Sequence, residues 1–384
     1  MLSTMRIDVR PAMLAWAIER SGMEPNALTL RFPKLLDWLE GSAMPTLKQL
    51  ELFAKATYAP LGSFFLPVPL VETLPIPDFR VMGGGWPRKP SPNLLETIYI
   101  CQQRQEWYRD HAIAEREDSL PFVESESVES DVLSVAASMR RALGLDLDER
   151  RRFPTWTDAL RSFIDRADEL GILVMCSGVV LNHNKRHLDP EEFRGFALAD
   201  THAPLVFING ADTKAAQMFT LAHELAHIWL GQSALSDLPP SRALEDRVEL
   251  WCNEVAAELL VPASDIRGAY SEEQGFETEI GRLARRYKVS GLAIIRRLYE
   301  VGILSRERYW HEYQSEEERL RGLPKKSGGN FYLTQAARVS KRFARALVIS
   351  TMEGQTLHRD AFQLLGFSKY STFQELGRSL GVLG

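Results

Sequence analysis

The chain has 384 residues, 45% apolar and 25% charged, with a formal net charge of −5 at pH 7. That is the balance of an ordinary soluble protein with room for two or three domains. No run approaches about 18 uninterrupted apolar residues, which argues against a membrane span. Charges between Met1 and Arg10 break any secretory core, so a cytoplasmic location is expected. Cys101, Cys176 and Cys252 lie far apart without a C-x-x-C pair, which argues against a disulfide framework and a cysteine-bound zinc.

Pro11–Arg20 and Leu47–Thr57 carry short amphipathic helical patterns, and between them Trp38-Leu39-Glu40-Gly41 followed by Pro45 is helix-stop chemistry. Residues 1–66 are therefore predicted to form a bundle of four or five helices. Pro67–Pro92 holds seven prolines and Gly83-Gly84-Gly85, so it reads as a linker or a strap over the surface. With the helical pattern of Asn93–Glu117 it makes up a connecting region, residues 67–130, closed by acidic Glu124–Asp131.

Residues 131–270 mix helix and strand. Thr157–Leu170 is helical, and Ile172–Cys176, Gly195–Ala199 and Leu205–Ile208 are short apolar runs bounded by Gly, Asp or Pro, which predicts three strands. Ala215–Leu230 and Asp246–Leu260 are long periodic helices, the second stopped by Pro262. Ile280–Val289 and Gly291–Val301 predict a helix–turn–helix pair within an extension, residues 271–320. Phe331–Glu353 and Arg359–Leu365 predict helices in a C-terminal region, residues 321–384. The fold class is thus α+β, mostly helical, with a small sheet.

Charge is uneven along the chain. Met1–Pro75 has 7 basic against 7 acidic residues, Arg282–Arg308 has 8 against 2, and Lys325–Gly384 has 9 against 3. A basic face can bind phosphate backbone, although it is more often solvated or a seat for an acidic partner.

The chemistry concentrates in His223-Glu224-Leu225-Ala226-His227. Residues four apart share a helix face, so the two imidazoles can chelate one ion while Glu224 takes a proton from water. Phe219, Leu221, Ala222, Leu225, Ala226, Ile228 and Trp229 make the surroundings apolar. Two histidines and a glutamate are costly to bury there without a metal. A catalytic zinc needs a third ligand, and Glu249, Glu254 and Glu258 compete for that place. Glu249 shares a face with Asn253, Ala256, Ala257 and Leu260, whereas Glu254 lies about 140° around the helix. Glu249 is therefore the expected third zinc ligand, Asn253 an orienting partner for a ligand histidine, and Glu254 and Glu258 are expected in solvent. Leu205, Val206 and Phe207, just upstream, are expected to bind an extended peptide substrate by strand addition. His202 and Tyr270 are candidates for an oxyanion donor. His183 and His187 imitate a metal spacing in a polar loop.

Phe219–His227, together with Glu249–Asn253 and Ala257-Glu258-Leu259-Leu260-Val261-Pro262, resembles the ImmA/IrrE family of metallopeptidases. Arg194–Leu198 and Pro204–Asn209 resemble that family's paired strands. The resemblance covers roughly Trp156–Tyr309. It implies a minimal zincin-like metallopeptidase fold, with Zn2+ on His223, His227 and Glu249, and Glu224 as the base of an endopeptidase that cleaves a repressor-like regulatory protein. Trp38–Gly41 with Pro45–Leu50 resembles the Xre/Cro helix-turn-helix, a DNA-binding module of transcription regulators. Chains that join these two modules are similar to toxin–antitoxin proteins whose partner is a PIN-like ribonuclease. That resemblance implies an alternative in which the zinc site is not used for proteolysis and the chain binds DNA or a cognate toxin, with a homodimer also admitted. The departure lies at Arg31-Phe32-Pro33-Lys34, where the polar residues of a recognition helix are replaced.

Overall fold

In the computed structural model the described residues are 5–77, 89–236, 247–273, 275–321 and 338–383. They fall into two compact units, Met1–Pro75 with Pro87–Ile98, and Ile76–Trp86 with Tyr99–Gly384.

In the first unit, helices α1 (Pro11–Ser21), α2 (Pro25–Arg31), α3 (Leu35–Leu39) and α4 (Leu47–Thr57) are followed by a 3-10 turn at Leu61–Phe65. Proline opens α1 and α2, where its missing N–H costs nothing. Pro33 forces the residue before it out of helical geometry, with Phe32 at φ −125° and ψ 82°. Helix α2 therefore stops at Arg31, and α3 starts at Leu35. Thr46 and Gln49 form a capping box at the start of α4. Met13, Leu14, Leu28, Leu35, Trp38, Leu50, Phe53 and Phe64 make the core, with Trp38 edge-on to Phe53 at 6.4 Å.

The second unit is built on a four-stranded sheet of β1 (Leu173–Ser177), β2 (Gly195–Leu198), β3 (Leu205–Asn209) and β4 (Ala234–Ser236), in the order β1-β3-β2-β4. β1 pairs parallel with β3, and the other neighbours are antiparallel. α5 (Pro92–Ala114) runs into this unit from the first, and α6 (Val132–Ala142), α7 (Leu147–Arg152) and α8 (Trp156–Glu169) precede the sheet. α9 (Lys214–Trp229) follows β3 and packs on β2, β3 and α10 (Arg247–Leu260). α11 (Ala263–Ala269), α12 (Phe276–Tyr287), α13 (Gly291–Glu300) and α14 (Arg306–Arg321) follow. The α12–α13 pair shares one core with the sheet and α9, through Ile280, Leu283, Ile294 and Leu298.

The C-terminal helices are Lys341–Met352, His358–Leu365 and Tyr370–Ser379. Of the helix expected over Phe331–Glu353, residues 331–337 lie outside the described ones, Arg338 and Val339 are helical, and after a break at Ser340 the helix runs over Lys341–Met352. The Asp168 carboxylate, at the end of α8, anchors this region by accepting hydrogen bonds from Ser340 and the Arg342 amide. No described helix is long and apolar enough to cross a membrane.

Two expectations are corrected by the sheet and the packing. Leu205, Val206 and Phe207 cannot bind a peptide by strand addition, because β3 is an inner strand, paired on both sides and buried throughout. Its N–H and C=O groups already serve β1 and β2. Glu258 is not in solvent: it is 5% exposed, pairs with Arg297, and accepts the Ala263 amide at 3.1 Å. Glu254 is exposed, as expected.

The basic run of Arg282–Arg308 is largely neutralised within the fold. Arg282 pairs with Glu279 at 2.7 Å, Arg286 with Asp265 at 3.3 Å, and Arg296 with Glu300 at 2.8 Å. Arg308 pairs with Glu272, and Arg297 is buried against Glu258.

Candidate metal centre

α9 starts where Thr213 accepts the Ala216 amide at 3.2 Å, a side-chain cap on the first free N–H groups. Buried Gln217 ties this end to the loop after β3, donating to the carbonyls of Gly210 at 3.1 Å and Asp212 at 2.6 Å. Met218, Leu221, Ala222, Leu225, Ala226 and Trp229 are buried along the helix, and Trp229 stacks on Phe122 at 4.6 Å. The helix is therefore enclosed on nearly every side, and His223, Glu224 and His227 are all fully buried.

α10 is fixed at its far end by arginines. Arg140 donates to the Glu258 carbonyl at 2.7 Å, Arg150 to the Leu260 carbonyl, and Arg297 to the Val261 carbonyl at 2.8 Å. Cations suit this end because the last helical carbonyls lack partners and carry the negative pole of the dipole. Burial pushes the Arg150 guanidinium down to about 10, still charged at neutral pH. The helix so held brings Glu249 to α9.

His223 Nε2 and His227 Nε2 lie 3.1 Å apart. Glu249 Oε2 is 3.2 Å from His223 Nε2, and its Oε1 is 3.1 Å from His227 Nε2. Burial pushes the Glu249 carboxyl up, but His223 and then His227 outweigh it and hold the group well below the usual carboxylate range. One ligand atom from each residue lies within 4.8 Å of the others, in a fully buried group. Donor atoms bonded at about 2.0–2.1 Å to one tetrahedral ion sit about 3.3 Å apart, so this spacing and the two-imidazole, one-carboxylate set fit zinc. With both Nε2 atoms unprotonated, lone pairs would face one another at these distances, and a shared cation resolves that conflict.

Glu224 is placed by a feature that the sequence analysis passed over. A Cβ added to Gly195 would meet Thr220 Cγ2 at 2.6 Å, the Phe207 carbonyl at 2.8 Å and Glu224 Oε1 at 3.0 Å. Glycine there lets α9 approach β2 closely and seats the Glu224 carboxylate against the strand. The available signal was a glycine opening a strand pattern.

Residues 167–299 match the family model described as the IrrE N-terminal-like domain, Peptidase_M78. The central domain belongs to the ImmA/IrrE metallopeptidase family. Residues 339–379 match a second family model, a domain of unknown function, DUF8813. Among curated proteins none matches the chain.

Within the ImmA/IrrE-family domain the other sequence-predicted residues separate. Asn253 is buried, but its Oδ1 has no hydrogen-bond partner among the described residues, and neither has His223 Nδ1. Asn253 therefore does not hold His223. It lies four residues beyond Glu249, about 6 Å along the axis, while Glu249 itself reaches the rings. The Tyr270 hydroxyl is engaged, donating to Glu272 at 2.7 Å, and His202 lies beside Thr201 at 3.2 Å. His183 and His187 are exposed and stand outside the metal-ligand group. Cys252 is buried beside Asn253.

Proposed function

We propose that the central domain is a zinc-dependent endopeptidase of the cytoplasm that cleaves a specific regulatory protein. The observation that carries this reading is the convergence of His223, His227 and Glu249 on one point, with the buried Glu224 carboxylate next in the chain. A zinc ion held by those three residues would acidify a coordinated water and polarise the scissile carbonyl. Glu224 accepts a proton at its carboxylate and returns it to the leaving amine. The apolar residues around α9 keep bulk water from the carboxylate, which strengthens its interactions. A purely structural zinc site has no use for Glu224.

The test compares Glu224→Gln with wild type. The variant should keep zinc at the wild-type stoichiometry and lose cleavage, read as the disappearance of specific new N-termini from a cell lysate incubated with the protein. An unchanged set of N-termini would sink the proposal.

One observation favours a second role for the first unit, as an antitoxin-like binder of a protein such as a PIN-like ribonuclease. Leu30 is 86% and Leu36 59% exposed on α2 and α3, where a DNA reader needs polar and basic side chains. An apolar face on a unit with balanced charge suits protein contact better than phosphate. Leu30→Ser with Leu36→Ser should abolish co-purification with the product of an adjacent gene. Retained co-purification would exclude this face.

A further inference from the structure

Since β3 is an inner strand, any extended chain that joins this sheet must do so at an outer edge. The two outer strands are β1 and β4. β4 stands on the catalytic side, because it pairs with β2, setting Ser236 opposite Gly195, and Gly195 lies against Glu224. The outer edge of β4 is already engaged. Leu235 turns its N–H away from β2 and donates to the Pro77 carbonyl at 3.0 Å. Beside that bond Ile76 is 7% exposed, and Leu235 is fully buried.

We propose that the outer edge of β4 is a docking surface for extended polypeptide, and that the chain's own Ile76–Pro77 segment holds it in the resting protein. A substrate must displace that segment to reach the centre. The substrate half of this statement rests on the endopeptidase reading, and the occupancy half does not.

The chemistry of the segment makes it a weak occupant. Pro75 and Pro77 have no N–H to offer, so the hydrogen bond between the segment and β4 runs through the Pro77 carbonyl. A peptide without prolines can exchange both donors and acceptors with β4 and so form a fuller ladder.

Amide hydrogen exchange on the full chain tests the occupancy. In wild type the fragment containing Ala234–Ser236 should be protected at Leu235, and Ile76→Asp should speed that exchange on the order of tenfold. The fragment containing Leu205–Asn209 should not change. A fluorescent synthetic peptide copying residues 71–80, added to both proteins in a Glu224→Gln background, should bind the Ile76→Asp chain on the order of tenfold more tightly. Equal Leu235 exchange in the two proteins, or equal peptide affinity, would overturn the proposal. If Ile76→Asp also loosens Leu205–Asn209, Ile76→Ala gives the same two readouts on a folded chain. Neither readout needs cleavage, so a protein that never cleaves can still pass, and one that cleaves can still fail.

Discussion

The two units of this chain invert the usual placement of side chains in opposite directions. In the second unit, histidines and glutamates that normally seek water are fully buried, and they face one another across α9 and α10. In the first, Leu30 and Leu36 stand in solvent although a well-formed core lies directly beneath them. Both departures cost stability locally and are sustained by ordinary packing around them. The buried polar set is closed, converging on one point, and so implies a small charged ligand. The exposed apolar pair is open, and the second role proposed above covers it with another protein.

That contrast can be broken from the polar side first. Glu224→Gln should lower cleavage about 10²–10⁴-fold while zinc stays bound, whereas Glu249→Ala should remove the metal itself; metal analysis beside a cleavage assay separates the two. Arg297→Ala should leave Glu258 buried without its partner and free the Val261 carbonyl at the end of α10. The expected loss is about 3–5 kcal/mol in urea unfolding. A loss below about 1 kcal/mol would mean that Arg297 is a surface cation after all.

Burial pushes the Asp168 carboxyl up to about 6, with the hydrogen bonds from Ser340 and Arg342 only partly opposing it. In the unfolded chain the group titrates near 4. Its contribution to stability is therefore fully present below about pH 4 and is lost as pH rises through 6. Relative to Asp168→Asn, wild type should lose up to about 3 kcal/mol between pH 4 and pH 7, measured as paired unfolding curves. A difference that grows with pH would reverse the sign. Gly195→Ala should cost about 1–3 kcal/mol by forcing β2 and α9 apart, and should impair cleavage more than zinc affinity, since it presses on Glu224 and not on the ligands. Leu30→Ser should change folding stability by no more than about 0.5 kcal/mol. A larger loss would make Leu30 part of the unit's own core and remove the contrast.

Much of the centre was legible because it is local. The spacing of His223 and His227 fixes their shared face once the segment is helical, and the apolar residues between them make that helix certain to be buried. Glu249 was separable from Glu254 by the same periodicity on one helix. Asn253 shows where that method stops, since sharing a face with Glu249 does not bring it to a histidine one turn away. Glu258 was misplaced because its partner, Arg297, lies 39 residues further on, and nothing within α10 announces it.

The sequence by itself determined the elements and the donor set: which segments are helix or strand, which end at proline or glycine, and which side chains can chelate an ion. Period and stop signals act within a turn or two of chain, so they can be read without the fold. Only the tertiary structure decided the neighbours. It put β3 inside the sheet, placed β4 at an outer edge, and laid Gly195 against Glu224. Strand order and close approach depend on what arrives from distant parts of the chain to fill each hydrogen-bonding edge and each gap. A single strand carries the same N–H and C=O groups whether it lies at the centre or the rim.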